Sequence, residues 1–393
     1  MKDVVVVDAM RTATGRFGGY FKDCCAVDLA SSLIEQCLVR SGLKGDDIDE
    51  VIMGMVYQGG ARANPARQSV LSANLPYEVT AMTINKLCGS GLMSVGLAWQ
   101  ALQVGSADVV LAGGMENMSQ VPYVLPRARW GQRIGHGAVE DMMLLDGLWD
   151  CFYDCHMGMT AENLAEQYGI DRSMQDEFAV ESQRRWRQSQ SEGQFDAEII
   201  PVTVADKSGE IVYSVDEHPR PEVTAEELGA LKPAFKKDGT VTAGNASGIN
   251  DGAALLLLMR AETARSYGLK PLSYVRGVVS AGVDPRVMGI GPAPAIRTLL
   301  KQAGISLDRI GRFELNEAFA AQTLAVGREL SLDWTRVNVN GGAIAMGHAV
   351  GASGARVATT LLHEMDRSME RFGVASLCIG GGMGIAALFE RYE

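Results

Sequence analysis

Apolar and polar positions along this chain alternate in a strand–helix rhythm. Val4 to Val7 is a short apolar run suited to a buried strand, and a turn-rich stretch from Arg11 to Gly19 follows it. Helical spacing of apolar residues from about Ala26 to Arg40 predicts a helix, and Val51 to Met55 predicts the next strand. Leu92, Val95, Trp99 and Leu102 then fall on one helical face, with Gly96 and Ala98 small enough for close packing. Val109 to Gly114 reads as a strand entering a glycine-rich turn. Past the middle of the chain, an apolar strand from Asn250 leads into a helix over Ala261–Tyr267. A further strand, Arg312–Leu315, precedes a helix near Ser353 and a strand from Val374 to the glycines ending at Gly382. Strands alternating with helices predict an α/β fold.

Two parts of this pattern repeat. Ser41–Ile48 matches Ala303–Ile310, and Ser90-Gly91 with its helix matches Ser353-Gly354 with its helix, at nearly the same offset. Each of these helices leads to a strand and a glycine-rich turn, so the chain reads as two duplicated halves. Ser119 to Gly248 breaks the rhythm, with prolines and aromatics between Pro122 and Trp149, a polar helix around Arg172–Ser191 and a charged stretch from Asp206 to Glu227. It reads as an insertion. The expected organisation is a first half over 1–118, completed by 250–268, an inserted loop domain over 119–249 and a second half over 269–393. The halves are expected to share one tightly packed body, because no low-complexity linker separates them.

Composition removes several function classes. Of 393 residues, 47% are hydrophobic and 21% charged, an ordinary balance for a globular protein of two or three domains. A net charge of −11 argues against a nucleic-acid or anionic-membrane surface, so an anionic ligand would need a local cationic patch. The opening apolar run is too short for a signal peptide, and the run Ala253–Met259 is too short to span a bilayer. Seven cysteines without framework spacing suit a reducing cytoplasm.

Candidate chemistry sits on glycine-flanked motifs. Cys88, in Asn85–Gly91, lies at or just before a helix N-terminus, where free N–H groups favour an anion and are expected to raise the thiolate fraction. The alternative is a small buried hydrophobe. His348 lies inside the glycine-rich run Asn338–Gly354 and suits general-base work near pH 7. A phosphate loop there is disfavoured, since no Lys-Ser/Thr follows. Cys378, on the turn Cys378–Gly384 between apolar runs that read as a hairpin, is either packing or a proton carrier. Asn316, ending the strand Arg312–Leu315, is an amide donor or an ordinary helix cap. Asp150, Cys151, Asp154, Cys155 and His156 lie close together but lack the second ligand pair of a zinc site, so no metal is expected.

Taken together, NKLCGSG (85–91), GGMENMS (113–119), HMGMTAEN (156–163), TAGNASGINDGAA (242–254), NEAFA (316–320), NVNGGAIAMGHAVGASGAR (338–356) and CIGGGMG (378–384) resemble the thiolases over essentially the whole chain. Within that family the nearest pattern is the bacterial acetyl-CoA acetyltransferase type. The resemblance implies a five-layered αβαβα fold of two duplicated halves with an inserted loop domain that covers coenzyme A and helps build a homotetramer, a dimer of dimers. It implies reversible ping-pong thiolysis of acetoacetyl-CoA, or another short 3-ketoacyl-CoA, and the reverse Claisen condensation. Coenzyme A and acetyl-CoA would be substrates, with no permanently bound cofactor and no nucleic-acid or membrane partner.

Residue by residue, the resemblance makes Cys88 the acyl-accepting nucleophile, His348 its activator and Cys378 the acid and base of the carbon–carbon step. Asn316, with His348 and a shared water, would stabilise one oxyanion, and the backbone N–H groups of Cys88 and Gly380 the other. His156, Met157, Arg220, Ser247, Met288 and Phe319 would contact the acyl-CoA. Three departures stand out: Ala349 where the family usually has proline, Met383 and Met93. The first implies a looser base-bearing loop, and all three a lower rate or altered acyl preference. Competing functions are a 3-ketoacyl-CoA thiolase of broader chain length in β-oxidation, a decarboxylating condensing enzyme of the same fold, and a non-catalytic acyl-CoA-binding relative.

Overall fold

The computed structural model of the protein describes residues 2–206 and 209–392. Its first strand, β1 (Val4–Thr12), runs further than the apolar pattern indicated, because Arg11 and Thr12 pair with Ile199 and Ile200 of the insertion. The turn-rich stretch therefore begins two residues later than expected. Arg11 is fully buried, and its guanidinium is held by Glu198 at 2.7 Å and Asp216 at 2.6 Å. A buried cation of this kind is tolerable only when paired, so these two carboxylates fasten the insertion to the body.

The other principal strands are β2 (Glu50–Gly54), β3 (Thr80–Ile84), β4 (Val109–Asn117), β5 (Asn250–Arg260), β6 (Ser273–Gly282), β7 (Arg312–Leu315), β8 (Phe372–Ile379) and β9 (Met383–Arg391). Their order is β3-β2-β4-β5-β1 in the first half and β7-β8-β9-β6 in the second. In each half the first pair is parallel and the next two are antiparallel: β2-β4-β5-β1 answers β7-β8-β9-β6. Even β3 has a vestige, since Val337 bridges Phe313 in parallel as β3 pairs β2. The halves meet where Val5 and Val6 of β1 pair antiparallel with Tyr274 and Ser273 of β6.

Five layers result. Helices Ala26–Ser41 and Pro65–Ser72 cover the outer face of the first half, and Pro292–Ala303 and Ala320–Leu330 cover that of the second. Between the two halves of the continuous sheet lie helices Ser90–Val104 and Val350–Ser368, which touch strands of both halves. β5 shows why the strands read as apolar runs. Leu255, Leu257 and Met259 face the outer core, while Ala254, Leu256 and Leu258 face the inner one. Each buried leucine contributes about 1.5–3 kcal/mol relative to exposure.

The two middle helices cross at the duplicated glycines. A Cβ on Gly91 would sit 2.7 Å from the Ala355 nitrogen, and one on Gly354 would collide with the Leu92 nitrogen. No side chain fits between these backbones, which is why Ser-Gly recurs in both halves. Within the insertion, helix Met157–Tyr168 packs against Ala320–Leu330 and the turn Pro285–Ile290 of the second half. The polar pattern expected around Arg172–Ser191 is a helix with those bounds, capped by Asp171.

Candidate active site

The turn that carries Cys88 is held in a strained form by its own neighbours. Leu87 has φ +48, a left-handed conformation costing a branched residue on the order of 1–3 kcal/mol. Asn85 Oδ1 accepts the Leu87 N–H at 2.9 Å. Ser90 Oγ accepts from the Lys86 N–H at 2.8 Å and donates to the Leu87 carbonyl at 2.7 Å. Cys88 stands just outside the helix that begins at Ser90 and looks into a cavity of about 740 Å³.

The helix terminus does not make Cys88 a thiolate. It is only partly exposed on the cavity wall, and burial pushes its pKa up to about 11. The N–H groups of Gly380 and of Cys88 itself reach the sulfur and oppose that rise, while Glu116 adds to it. Desolvation wins, so Cys88 is a thiol at neutral pH, contrary to the expectation from its place in the chain.

His348 is fixed on every side. Its backbone N–H donates to Asn250 Oδ1 at 2.9 Å, and Asn250 Nδ2 donates to the Gly15 carbonyl at 3.0 Å. Gly347, at φ +97, brings the backbone so close to Asn250 that a Cβ there would overlap the amide. On the ring, Nδ1 lies 2.6 Å from Ser353 Oγ, whose hydroxyl donates to the Ala349 carbonyl at 2.8 Å. That leaves the serine oxygen only an acceptor role toward the ring, so Nδ1 carries the proton and Nε2 is the free base. Asn316 Nδ2 donates to Nε2 across 3.4 Å. Burial, helped by Arg356, pushes the imidazole pKa down to about 3. The resting pair is therefore a neutral thiol and a neutral imidazole rather than an ion pair.

The departure at Ala349 does not loosen this loop. Ala349 caps the helix Val350–Ser368 with φ −71, the value a proline would impose. Met93 and Met383 both pack against the inner core, so these two departures fill apolar space.

Cys378 and Asn316 lie behind the cavity wall rather than on it. Cys378 is fully buried near the end of β8, and burial together with Cys88 pushes its thiol pKa up. The hairpin expected after it is present: Ile379 pairs with Met383 around Gly380–Gly382, with Gly381 and Gly382 at φ +76 and +84. Asn316 is not a helix cap, since the next helix begins at Ala320 after Phe319. Its backbone is tied to the Ser376 carbonyl at 3.0 Å, and its Oδ1 is buried without a partner among the described residues.

The cavity gathers Cys88, His348 and Gly380 with all six expected substrate contacts, His156, Met157, Arg220, Ser247, Met288 and Phe319. His156 accepts the Gly158 N–H at Nδ1 and stacks on Phe235, ring centroids 4.5 Å apart. Burial lowers its pKa. Met157 reaches the Gly380 turn, where a Cβ would stand 2.8 Å from its terminal methyl. Arg220 is exposed at the mouth and forms no side-chain ion pair among the described residues. Burial and Arg220 push neighbouring His218 down to about 4, which makes it a neutral wall. Sequence reasoning missed Phe235, His218 and Arg16 on this wall, and Ser353 and Glu116 behind it. Ser353 carried one signal, its place in the repeated Ser-Gly.

What converges here is a thiol, an oriented neutral imidazole, a second buried thiol and backbone donors: a cysteine-dependent centre in a duplicated αβαβα fold. Residues 4–262 match the thiolase N-terminal domain and residues 269–391 the thiolase C-terminal domain. The chain is 53% identical over 392 residues to an acetyl-CoA acetyltransferase of Pseudomonas aeruginosa, covering 100% of both chains. It is also 53% identical over 394 residues to a probable acetyl-CoA acyltransferase of Staphylococcus aureus, again covering 100% of both. The crystal structure of the Bacillus anthracis acetyl-CoA acetyltransferase superposes with a TM-score of 0.98 at 47% identity, over 100% of this chain and 99% of that one. Human mitochondrial 3-ketoacyl-CoA thiolase gives 0.97 at 44% identity, over the same shares. The chain belongs to the thiolase family.

Proposed function

We propose that the protein is an acetyl-CoA C-acetyltransferase that cleaves acetoacetyl-CoA, or another short 3-ketoacyl-CoA, with coenzyme A, and runs the reverse condensation. The observation that carries this reading is one cavity lined by Cys88, Gly380 and His348, with Asn316 against His348 and Cys378 buried behind its wall. Cys88 sulfur gives its proton to His348 Nε2 and attacks the 3-keto carbon. The bond between carbons 2 and 3 breaks, and Cys378 protonates carbon 2 of the departing enolate, so acetyl-CoA leaves and an acyl thioester remains on Cys88. Coenzyme A then attacks that thioester, its thiol proton passing to the Cys378 thiolate; the shortened acyl-CoA leaves and Cys88 takes its proton back from His348. N–H groups of Cys88 and Gly380 serve one developing oxyanion, and His348 with Asn316 the other.

The exposed Arg220 suits the phosphates of coenzyme A, His156 and Ser247 its pantetheine arm, and Met157, Met288 and Phe319 the acyl end. Residues 119–249 act as the covering domain and, through exposed apolar residues such as Leu125, Trp130 and Ile134, as the contact that assembles a homotetramer. No described helix is long and apolar enough to cross a membrane. A cytoplasmic place in lipid metabolism, without nucleic-acid or membrane partners, fits the acidic composition. Acetyl-CoA added without free coenzyme A tests the reading: intact-mass and peptide spectra should show one acetyl group on Cys88. An acetyl group only on Cys378, or none from an active enzyme, overturns it.

A further inference from the structure

Glu116, next to last in β4, is a fully buried carboxylate with no ion pair among the described residues. Three backbone donors hold it instead: Val56 N–H at 2.9 Å and Gly351 N–H at 2.9 Å on Oε2, and Tyr57 N–H at 3.2 Å on Oε1. Each donor belongs to a different part of the reacting assembly. Val56 and Tyr57, with Met118 and Val350, form the apolar cluster against which Leu87 and Cys88 pack. Gly351 is in the first turn of the helix that follows His348, and a Cβ there would press on Glu116 Oε2 at 2.8 Å. The carboxylate also meets the positive end of that helix. One side chain thus ties the pocket wall beside Cys88 to the helix that follows His348.

We propose that Glu116 is a positioning residue for both Cys88 and His348, clamping the Val56–Tyr57 turn beside Cys88 to the helix that follows His348. This inference rests on the acyl-transfer reading of the site. An amide cannot replace the carboxylate, because a glutamine oxygen serves two N–H groups and its own NH2 then opposes the third. The charge has its own effect: Glu116 opposes ionisation of Cys88 and of Tyr57. Other titratable groups bearing on this pocket are Asp251 of β5, Asp141 and Asp146 beyond Tyr57, Cys378 and His348, with Arg356 as the cation facing His348. Burial raises Glu116 itself to about 7, so the clamp weakens as pH falls through neutrality.

Two readouts on the full-length protein separate the clamp from a merely structural role. One is single-turnover acetylation of Cys88 by acetyl-CoA; the other is alkylation of Cys88 by iodoacetamide against pH, which does not depend on thiolase chemistry. Glu116→Gln should slow acetylation roughly 10- to 100-fold, the rate equivalent of one misdirected buried hydrogen bond. It should also move the alkylation profile to lower pH. Glu116→Asp keeps the charge but shortens the reach, and covers the case in which the amide does not fold. It should slow acetylation and leave the alkylation profile in place. Acetylation within twofold of wild type in either folded variant, or an unmoved alkylation profile in Glu116→Gln, overturns the proposal. Absence of acetylation in the wild-type protein would count against the acyl-transfer reading instead.

Discussion

Replacing Ser353 by alanine removes one hydroxyl and should disable the base without touching the cavity. In the folded protein Nδ1 of His348 donates to Ser353 Oγ at 2.6 Å, and both residues are buried, at 6% and 2% exposure. Two responses are open to the imidazole. It can keep the proton on Nδ1 and leave a buried donor unmet, at a cost of about 1–3 kcal/mol. Or it can move the proton to Nε2, which relieves that cost but turns an N–H toward the Asn316 Nδ2 now donating across 3.4 Å, and leaves nothing to receive the Cys88 proton. Either way the productive tautomer is destabilised by about 1–3 kcal/mol, for a 5- to 150-fold loss in acylation rate. Single-turnover acetylation of Cys88 measures it, and nitrogen chemical shifts of labelled histidine report the tautomer. Ser353→Thr, which retains a hydroxyl, should recover most of the rate. Wild-type acetylation by Ser353→Ala, with Nδ1 still protonated, would refute the reasoning.

Cys378→Ala should still take an acetyl group from acetyl-CoA on Cys88 but lose thiolysis and condensation; near-normal thiolysis would show that another group carries that proton. Ala349→Pro, at φ −71 and with an N–H that makes no hydrogen bond among the described residues, should stabilise the fold by about 0.4–1 kcal/mol in urea titrations and leave kcat unchanged. His348, held down to about 3, binds fewer protons folded than unfolded between that value and its ordinary 6.5. Stability should therefore fall as pH drops through that window, and His348→Gln should flatten the fall in denaturation midpoints measured from pH 7 to pH 4. If Met157, Met288 and Phe319 close the acyl end, kcat/KM should decline from C4 to C6, C8 and C12 3-ketoacyl-CoA. Overpacking costs about 1–3 kcal/mol against about 0.8 kcal/mol gained per buried methylene, and a flat or rising profile would reject the short-chain reading.

The elements were legible because both faces of the strands are buried: the run Ala253–Met259 could be little else in a chain of alternating strands and helices. The duplication was legible for a similar reason, since Ser-Gly recurs where two backbones touch. Cys88, His348 and Cys378 stood out because glycines flank each of them. The charge state of Cys88 was not legible, because a helix terminus is visible in sequence whereas desolvation depends on walls contributed by distant segments. Arg11 looked like the start of a loop, and only Glu198 and Asp216, far along the chain, make it the end of a strand. Glu116 was visible as a motif residue, but Gly351, its partner on the helix that follows His348, comes from the other half.

The crossing of the middle helices at Gly91 and Gly354 bears on how accurately this molecule can be built. Cys88 lies three residues before one glycine of that crossing and His348 six before the other. A joint filled by side chains carries the slack of their rotamers, and any ligand or mutation nearby can shift it. Where backbone rests on backbone there is almost no such slack, so the spacing between the thiol and the imidazole is gauged from a single hard reference. Errors elsewhere in the sheets, or drift in the insertion over evolutionary time, are not carried into that spacing.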